Sequence, residues 1–382
     1  MVTPRGGNNL FHRVVGDGNG NFYLVYQSWR GRRSDIYLRA YSEGKWSGEV
    51  NLSDSERYVR ANDWSAVATV DREGTVWVAW DGYGTGNYNI FLRSVRHGKP
   101  GRLIQVTDSG RFHARPSLAV DRENRLWIAW EEGPENWGKD SGMLLKGGSG
   151  LYERRTIRVA VYDNGNWLTT LRQPDDHLPF EMQTHFDMPR LAVDSKGHVW
   201  LFAHPRTSIR NAYTDGAGGV GKWELVASYY LRDRWTEPKV IPNSSIGRAE
   251  SEFQVSPDSA GDVHVVMVSE QRVWGLSRGG WISPGAPNYE VMYTRLNSDA
   301  PVVSELARRV PEPPAGRPLE PSEKQLIAEL RNYVISSEGK TYRIYRGDLH
   351  RHTDTSKDGP GDGPLWDAYD TLWTPPDSII WP

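Results

Sequence analysis

Apolar residues over the first three hundred positions fall in short runs of strand length, each broken by Asp, Gly or Asn. Three runs repeat one another. They are Ala66-Val-Ala-Thr-Val-Asp71-Arg-Glu-Gly-Thr-Val-Trp77-Val-Ala-Trp80, Ser117-Leu-Ala-Val-Asp121-Arg-Glu-Asn-Arg-Leu-Trp127-Ile-Ala-Trp130 and Arg190-Leu-Ala-Val-Asp194-Ser-Lys-Gly-His-Val-Trp200-Leu-Phe-Ala. A looser copy runs from Val14 through Asp17 to Tyr26, and the loosest from Phe253 through Asp258 to Val268. Each reads as strand, Asp-x-x-Gly/Asn turn, strand, because Asp folds back on its own backbone and Gly or Asn tolerates the left-handed conformation. The second strand is apolar on both faces: Trp77 and Trp80 point opposite ways, so both sides must be covered.

A third strand follows each copy, as in Asp35–Tyr41, Asn89–Val95, Thr156–Tyr162, Glu224–Tyr230 and Tyr289–Arg295, then a fourth, often opened by Trp46, Trp167 or Trp235. The Asp positions step by 54, 50, 73 and 64 residues, blade length plus insertions. The predicted fold is all-β, a β-propeller over residues 1–300 with five recognisable four-stranded blades, in a ring of five or six. A β-sandwich would not repeat the unit. Val2-Thr3 before Phe11-His12 resembles Val106-Thr107 before Phe112-His113, as if the chain enters at the end of an outer strand.

The insertions fall between second and third strands, at Gln27–Ser34, Asp81–Tyr88, Glu131–Arg155, His204–Lys222 and Ser269–Asn288, all at one end of the propeller by strand alternation. The blade-to-blade connections share that end. They bring Arg60, Asp63, His113, Arg115, His185, Asp187 and Glu252 to the channel mouth as a candidate ligand-binding set, Glu250 beside them. Solvated rim residues or structural ion pairs are the plainer alternative for each.

Composition bounds the chemistry. With 46 basic and 48 acidic residues the net charge is −2, which argues against a nucleic-acid binder. There is no cysteine, hence no disulfide or thiolate site, and no apolar run long enough for a membrane span. A monomer with a small-molecule, glycan or peptide ligand in the channel is expected.

After about residue 300 the pattern changes. Residues 301–320 read as a Pro-rich linker. Ser322-Glu-Lys-Gln325 reads as a capping box opening a helix with Leu326, Ile327, Leu330 and Val334 on one side. Thr341–Arg346 reads as a strand running into Gly347-Asp-Leu-His350-Arg-His352-Thr-Asp354, with Asp358-Gly beyond. A His-x-His pair at a strand end puts two imidazoles on one side, within reach of a metal. The string resembles the first motif of the polymerase-and-histidinol-phosphatase (PHP) superfamily of metallohydrolases, and the combination resembles an uncharacterised family with a propeller-like half before a PHP-like domain. The resemblance implies a (β/α) domain over residues 321–382, His350 and His352 as metal ligands, and a divalent metal (zinc, manganese or iron) activating water against a phosphoester or related bond. The family's later ligands have no counterpart, and Pro375-Pro376 break the helix expected there. The expectation is a truncated piece of such a hydrolase, itself inactive and binding metal weakly or not at all, from a periplasmic or extracellular parent. The propeller would be its recognition or scaffold module. The alternatives are a free-standing binding module for a glycan, peptide or protein, and a sialidase-like glycosidase.

Overall fold

In the computed structural model the described residues are 2–3, 7–30, 33–54, 62–83, 87–135, 137–138, 149–150, 154–178, 185–208, 222–246, 253–269, 290–310 and 332–343. They form five small antiparallel sheets arranged as a five-bladed β-propeller. Blade 1 is built on the strands Asn8–Gly16, Phe22–Arg30 and Arg33–Ser42, and blade 2 on Asp63–Val70, Val76–Gly82 and Asn89–Arg96. Blade 3 uses His113–Val120, Leu126–Glu132, Thr156–Asp163 and Asn166–Thr170. Blade 4 uses Phe186–Val193, Val199–Ser208 and Val226–Leu231. Blade 5 consists of Phe253–Pro257, Val263–Ser269 and Glu290–Leu296. Short outer strands complete blades 1, 2 and 4, and Leu306–Arg308 joins the outer edge of blade 3. First strands of successive blades are neighbours, so they line the axis.

The repeated Asp holds each hairpin. Asp71 Oδ1 accepts the amides of Glu73 and Thr75, both at 2.9 Å, and Oδ2 accepts the Trp77 indole N–H at 2.9 Å. Asp121 takes the Arg125 amide and the Trp127 indole at 2.8 Å each, and Asp194 the amides of Gly197 and His198 and the Trp200 indole. In blade 5 the imidazole of His264 stands where the indole would be, 2.9 Å from Asp258. The third residue after each Asp has positive φ: Gly20, Gly74, Asn124, Gly197 and Gly261. The spacing of six between Asp and Trp is therefore a bonding distance, not only a repeat mark.

Apolar contacts run between blades. Trp80 packs with Val25, Ile36 and Leu38 of blade 1, whereas Trp77 lies against the cluster shared with blade 3. Trp127 and Trp200 are buried; Trp77, expected to match them, is only half-buried.

Two expectations are corrected. Gln27–Ser34 is not a long loop: Gln27 pairs with Ile36, Ser28 with Asp35 and Trp29 with Ser34 in a continuing ladder. Val334 is not the last apolar position of a helix. It opens the strand Val334–Ser337, which pairs with Lys340–Arg343, because Glu338-Gly339 supply two positive-φ residues in a row, which a two-residue hairpin needs. The capping box, the metal motif with His350 and His352, and the positions Arg60, Glu250 and Glu252 lie outside the described residues.

Candidate functional site

At the long-loop end each of the first four inner strands carries a β-bulge in the same register, and its first bulged residue has positive φ: Phe11, Ser65, Arg115 and Met188. A bulge takes a backbone N–H out of the ladder. In two blades an acid on the second strand of the preceding blade accepts it. Asp81 Oδ1 accepts the Arg115 amide at 3.1 Å, and Glu131 Oε1 accepts the Met188 amide at 2.8 Å. Glu131 Oε2 also takes the Arg115 guanidinium at 2.7 Å, an ion pair in which Glu131 is fully buried. Asp81 and Glu131 thus tie blade 2 to blade 3 and blade 3 to blade 4.

Of the predicted set, the structure brings Arg115 and Asp187 together. Asp187 occupies the register position that Trp64 and Ala114 fill in blades 2 and 3, so blade repetition does not call for an acid there. Its carboxyl is pushed up to about 8, first by burial and then by the Glu131 carboxylate, against the pull of Arg155, Arg115 and Arg206. Its Oδ1 has no hydrogen-bond partner among the described residues. Burial thus favours the protonated form of this carboxyl, which lies beside the Glu131–Arg115 pair.

The other predicted residues have separate surroundings. Asp63 accepts the Trp80 indole at 3.0 Å, and burial, with Asp35, raises its carboxyl well above the usual range. Any side chain at Gly82 would collide with that carboxylate, which explains a glycine in a strand end. Asp81 is raised to about 6, chiefly by burial. His113 is buried against Ser109 (3.2 Å), the Tyr88 carbonyl (3.3 Å) and Glu132 (3.5 Å). Burial works against the Glu132 carboxylate, yet His113, Arg158 and Arg111 hold it below its ordinary range. Arg158 goes on to Asp175 at 2.7 Å, so His113 belongs to a second ionic network. His185 sets its ring edge-on to Trp223 and its backbone beside Arg155. Asp187, His113 and Arg115 are withdrawn from water, and Arg115 makes a structural ion pair of the kind the plainer alternative offered.

Sequence reasoning missed Asp81 and Glu131, taking both as loop starts. The available signal was their shared register: each directly follows the second Trp of its repeat, Trp80-Asp81 and Trp130-Glu131. Among the described residues no group of three or more His, Asp or Glu could hold a metal ion, and no helix is long and apolar enough to cross a membrane.

No family model and no curated protein matches the chain. Among solved structures it is similar to a protein of unknown function from Dyadobacter fermentans, at TM-score 0.48 and 8% identity over 81% of this chain and 85% of that one. It is also similar to an ulvan lyase, at TM-score 0.44 and 11% identity over 68% of this chain and 62% of that one. An endo-arabinase from Bacteroides thetaiotaomicron matches at TM-score 0.38 and 12% identity, covering 77% of this chain and 94% of that one.

Proposed function

We propose that the long-loop end of blades 3 and 4 is a carbohydrate site of the glycosidase kind, with Asp187 as proton donor and Glu131 as its carboxylate partner. The observation that carries this reading is Asp187: a buried acid outside the blade repeat, with an oxygen that has no hydrogen-bond partner among the described residues and a carboxyl that burial pushes up. Cleavage of a glycosidic bond needs one carboxyl that gives a proton to the leaving oxygen and one that stays ionised, their environments pushing them apart. Arg115 pairs directly with Glu131 at 2.7 Å. Arg155 and Arg206 add positive charge near Asp187, which favours a sugar bearing a carboxylate or sulfate.

A panel of neutral and acidic polysaccharides, incubated with the chain and with Asp187→Asn, tests the proposal. Cleavage of an acidic glycan that is lost in the variant, with binding kept, is expected. Neither binding nor cleavage across the panel would overturn it.

A second reading rests on the Gly347–Asp358 motif. In it the propeller would recognise the substrate and a PHP-like domain would hydrolyse it, with His350 and His352 as the residues that would hold a divalent metal and water activation as the chemistry the metal would supply. Metal analysis of the purified chain with His350→Ala as control addresses it. Stoichiometric zinc, manganese or iron lost in the variant favours this reading; none removes it for this chain.

A further inference from the structure

The five blades present the same register positions to their neighbours, so burial can be compared position by position. On the face that each blade turns to the next one, Ile36, Ile90, Ile157 and Leu225 are 0% exposed, but their blade 5 counterpart Val291 is 76% exposed. Val25, Ala79, Ala129 and Phe202 are likewise 0% exposed, whereas Val266 is 43% exposed. On the face turned to the previous blade, Val76, Leu126, Val199 and Val263 are at most 2% exposed, and Phe22 of blade 1 is 46% exposed. Val14 beside it is more exposed still. Part of this blade 1 face is covered by its own residues, since Arg30 pairs with Glu49 and lies over the Tyr37 ring. Nearest the Asp17 hairpin, Phe22 and Val14 remain exposed while Leu24 is buried against Tyr26 and Tyr37. Among the described residues, buried clusters join blades 1 and 2, 2 and 3, 3 and 4, and 4 and 5, and none joins 5 and 1.

A second observation says what belongs there. In blade 2, Arg93 donates to the Leu52 carbonyl at the outer end of blade 1 and to its own Gly101 carbonyl. In blade 1, Arg39 holds the same register, donating to the Val2 carbonyl and to its own Ser47 carbonyl. Val2 therefore stands where the outer end of a preceding blade stands. Blade 5 has three strands among the described residues and none on the outer edge of Glu290–Leu296. What blade 1 offers at Val2-Thr3, blade 5 lacks.

We propose that the occupant is a second copy of this chain. Blade 5 of one copy seats on blade 1 of the next, with Val291, Val266 and Tyr293 against Phe22 and Val14, and Val2-Thr3 beside the open edge of blade 5. A second copy is favoured because the two faces are complementary in the way that the four internal interfaces are, yet within one chain both remain exposed at once. The contact is heterologous, so a pair keeps one face of each kind free, and growth continues until a ring closes.

Sedimentation velocity of the full chain across roughly 1–100 μM, a span that covers weak to moderate affinities, tests this. A mass that rises with concentration is expected. Val291→Arg and Phe22→Arg should each sediment as monomers alone. Mixed, they should form a 1:1 dimer that grows no further, because each retains the face that the other has lost. A wild-type monomer at every concentration would mean that the faces are covered by the chain itself or by a different partner, and would overturn the proposal. So would variants that still associate alone, or a mixture that stays monomeric. Both substitutions are at exposed positions; should either variant unfold by circular dichroism, Tyr293→Lys and Val14→Lys carry the same test.

Discussion

Aspartates at the hairpin end and at the channel end of the propeller behave in opposite ways. At the hairpin end, Asp194 and Asp258 are held below the ordinary carboxylate range. For Asp194, burial is outweighed by bonds from Trp200 and His198; for Asp258, the bond to His264 leads. At the channel end, Asp63, Asp81 and Asp187 are all pushed up, in each case first by burial. The hairpin carboxylates are surrounded by donors their own turn supplies, so charge is welcome there. Each channel carboxyl is buried beside another acid, Asp35 for Asp63 and Glu131 for Asp81 and Asp187, so charge is costly. The lesson is that an acid repeated in register is part of the scaffold, and an acid that breaks the register, as Asp187 does, is where function should be sought.

Four measurements would break or sharpen this contrast. Trp127→Ala removes a fully buried indole from the blade 3–blade 4 core and the donor to Asp121; a loss of about 3–5 kcal/mol is expected in denaturant unfolding. Asp194→Ala leaves the Trp200 indole and the His198 ring nitrogen without their acceptor, and should cost about 1–3 kcal/mol by the same assay. Trp77→Ala should cost clearly less than Trp127→Ala, about 1–2 kcal/mol, since half-burial returns less apolar area to water; equal losses would mean that the two repeats are not in different surroundings. The smallest effect at neutral pH is expected for Asp187→Asn, and its signature lies in the pH dependence. The folded protein keeps this proton up to about 8, while the unfolded chain loses it near 3.8, so the folded state binds more protons in that window. Stability should fall as pH rises from about 4 to about 8. The variant should lose the part of that slope that Asp187 supplies, leaving the contributions of Asp63, which is also raised by burial, and of Asp81, which ends near 6. A wild-type slope of the opposite sign would remove the case for a protonated Asp187.

The blade architecture was legible because its determinants are local. Asp71, Asp121 and Asp194 bond within their own hairpins, and the required residue types recur at fixed offsets. The site was half legible. Arg115 and Asp187 could be placed at the channel end by strand alternation alone. Their link through Glu131 could not, because it depends on a bulge whose bulged residue is Phe11, Ser65, Arg115 or Met188, four types with nothing in common. Backbone irregularity set by blade-to-blade packing leaves no residue signature. Val334 shows the converse error: an apolar spacing that suits a helix was overruled by the turn chemistry of Glu338-Gly339.

The acid-to-bulge ties have a consequence for how the ring comes apart. The Arg115 and Met188 amides are not bonded within their own sheets but to carboxylates of the preceding blade, so local fraying of a strand end does not expose them. Their protons are therefore expected to exchange with solvent deuterium when neighbouring blades separate. Each amide is thus a clock for one seam: Arg115 for blades 2 and 3, Met188 for blades 3 and 4. Comparing the two rates would show whether the propeller opens seam by seam or as one body.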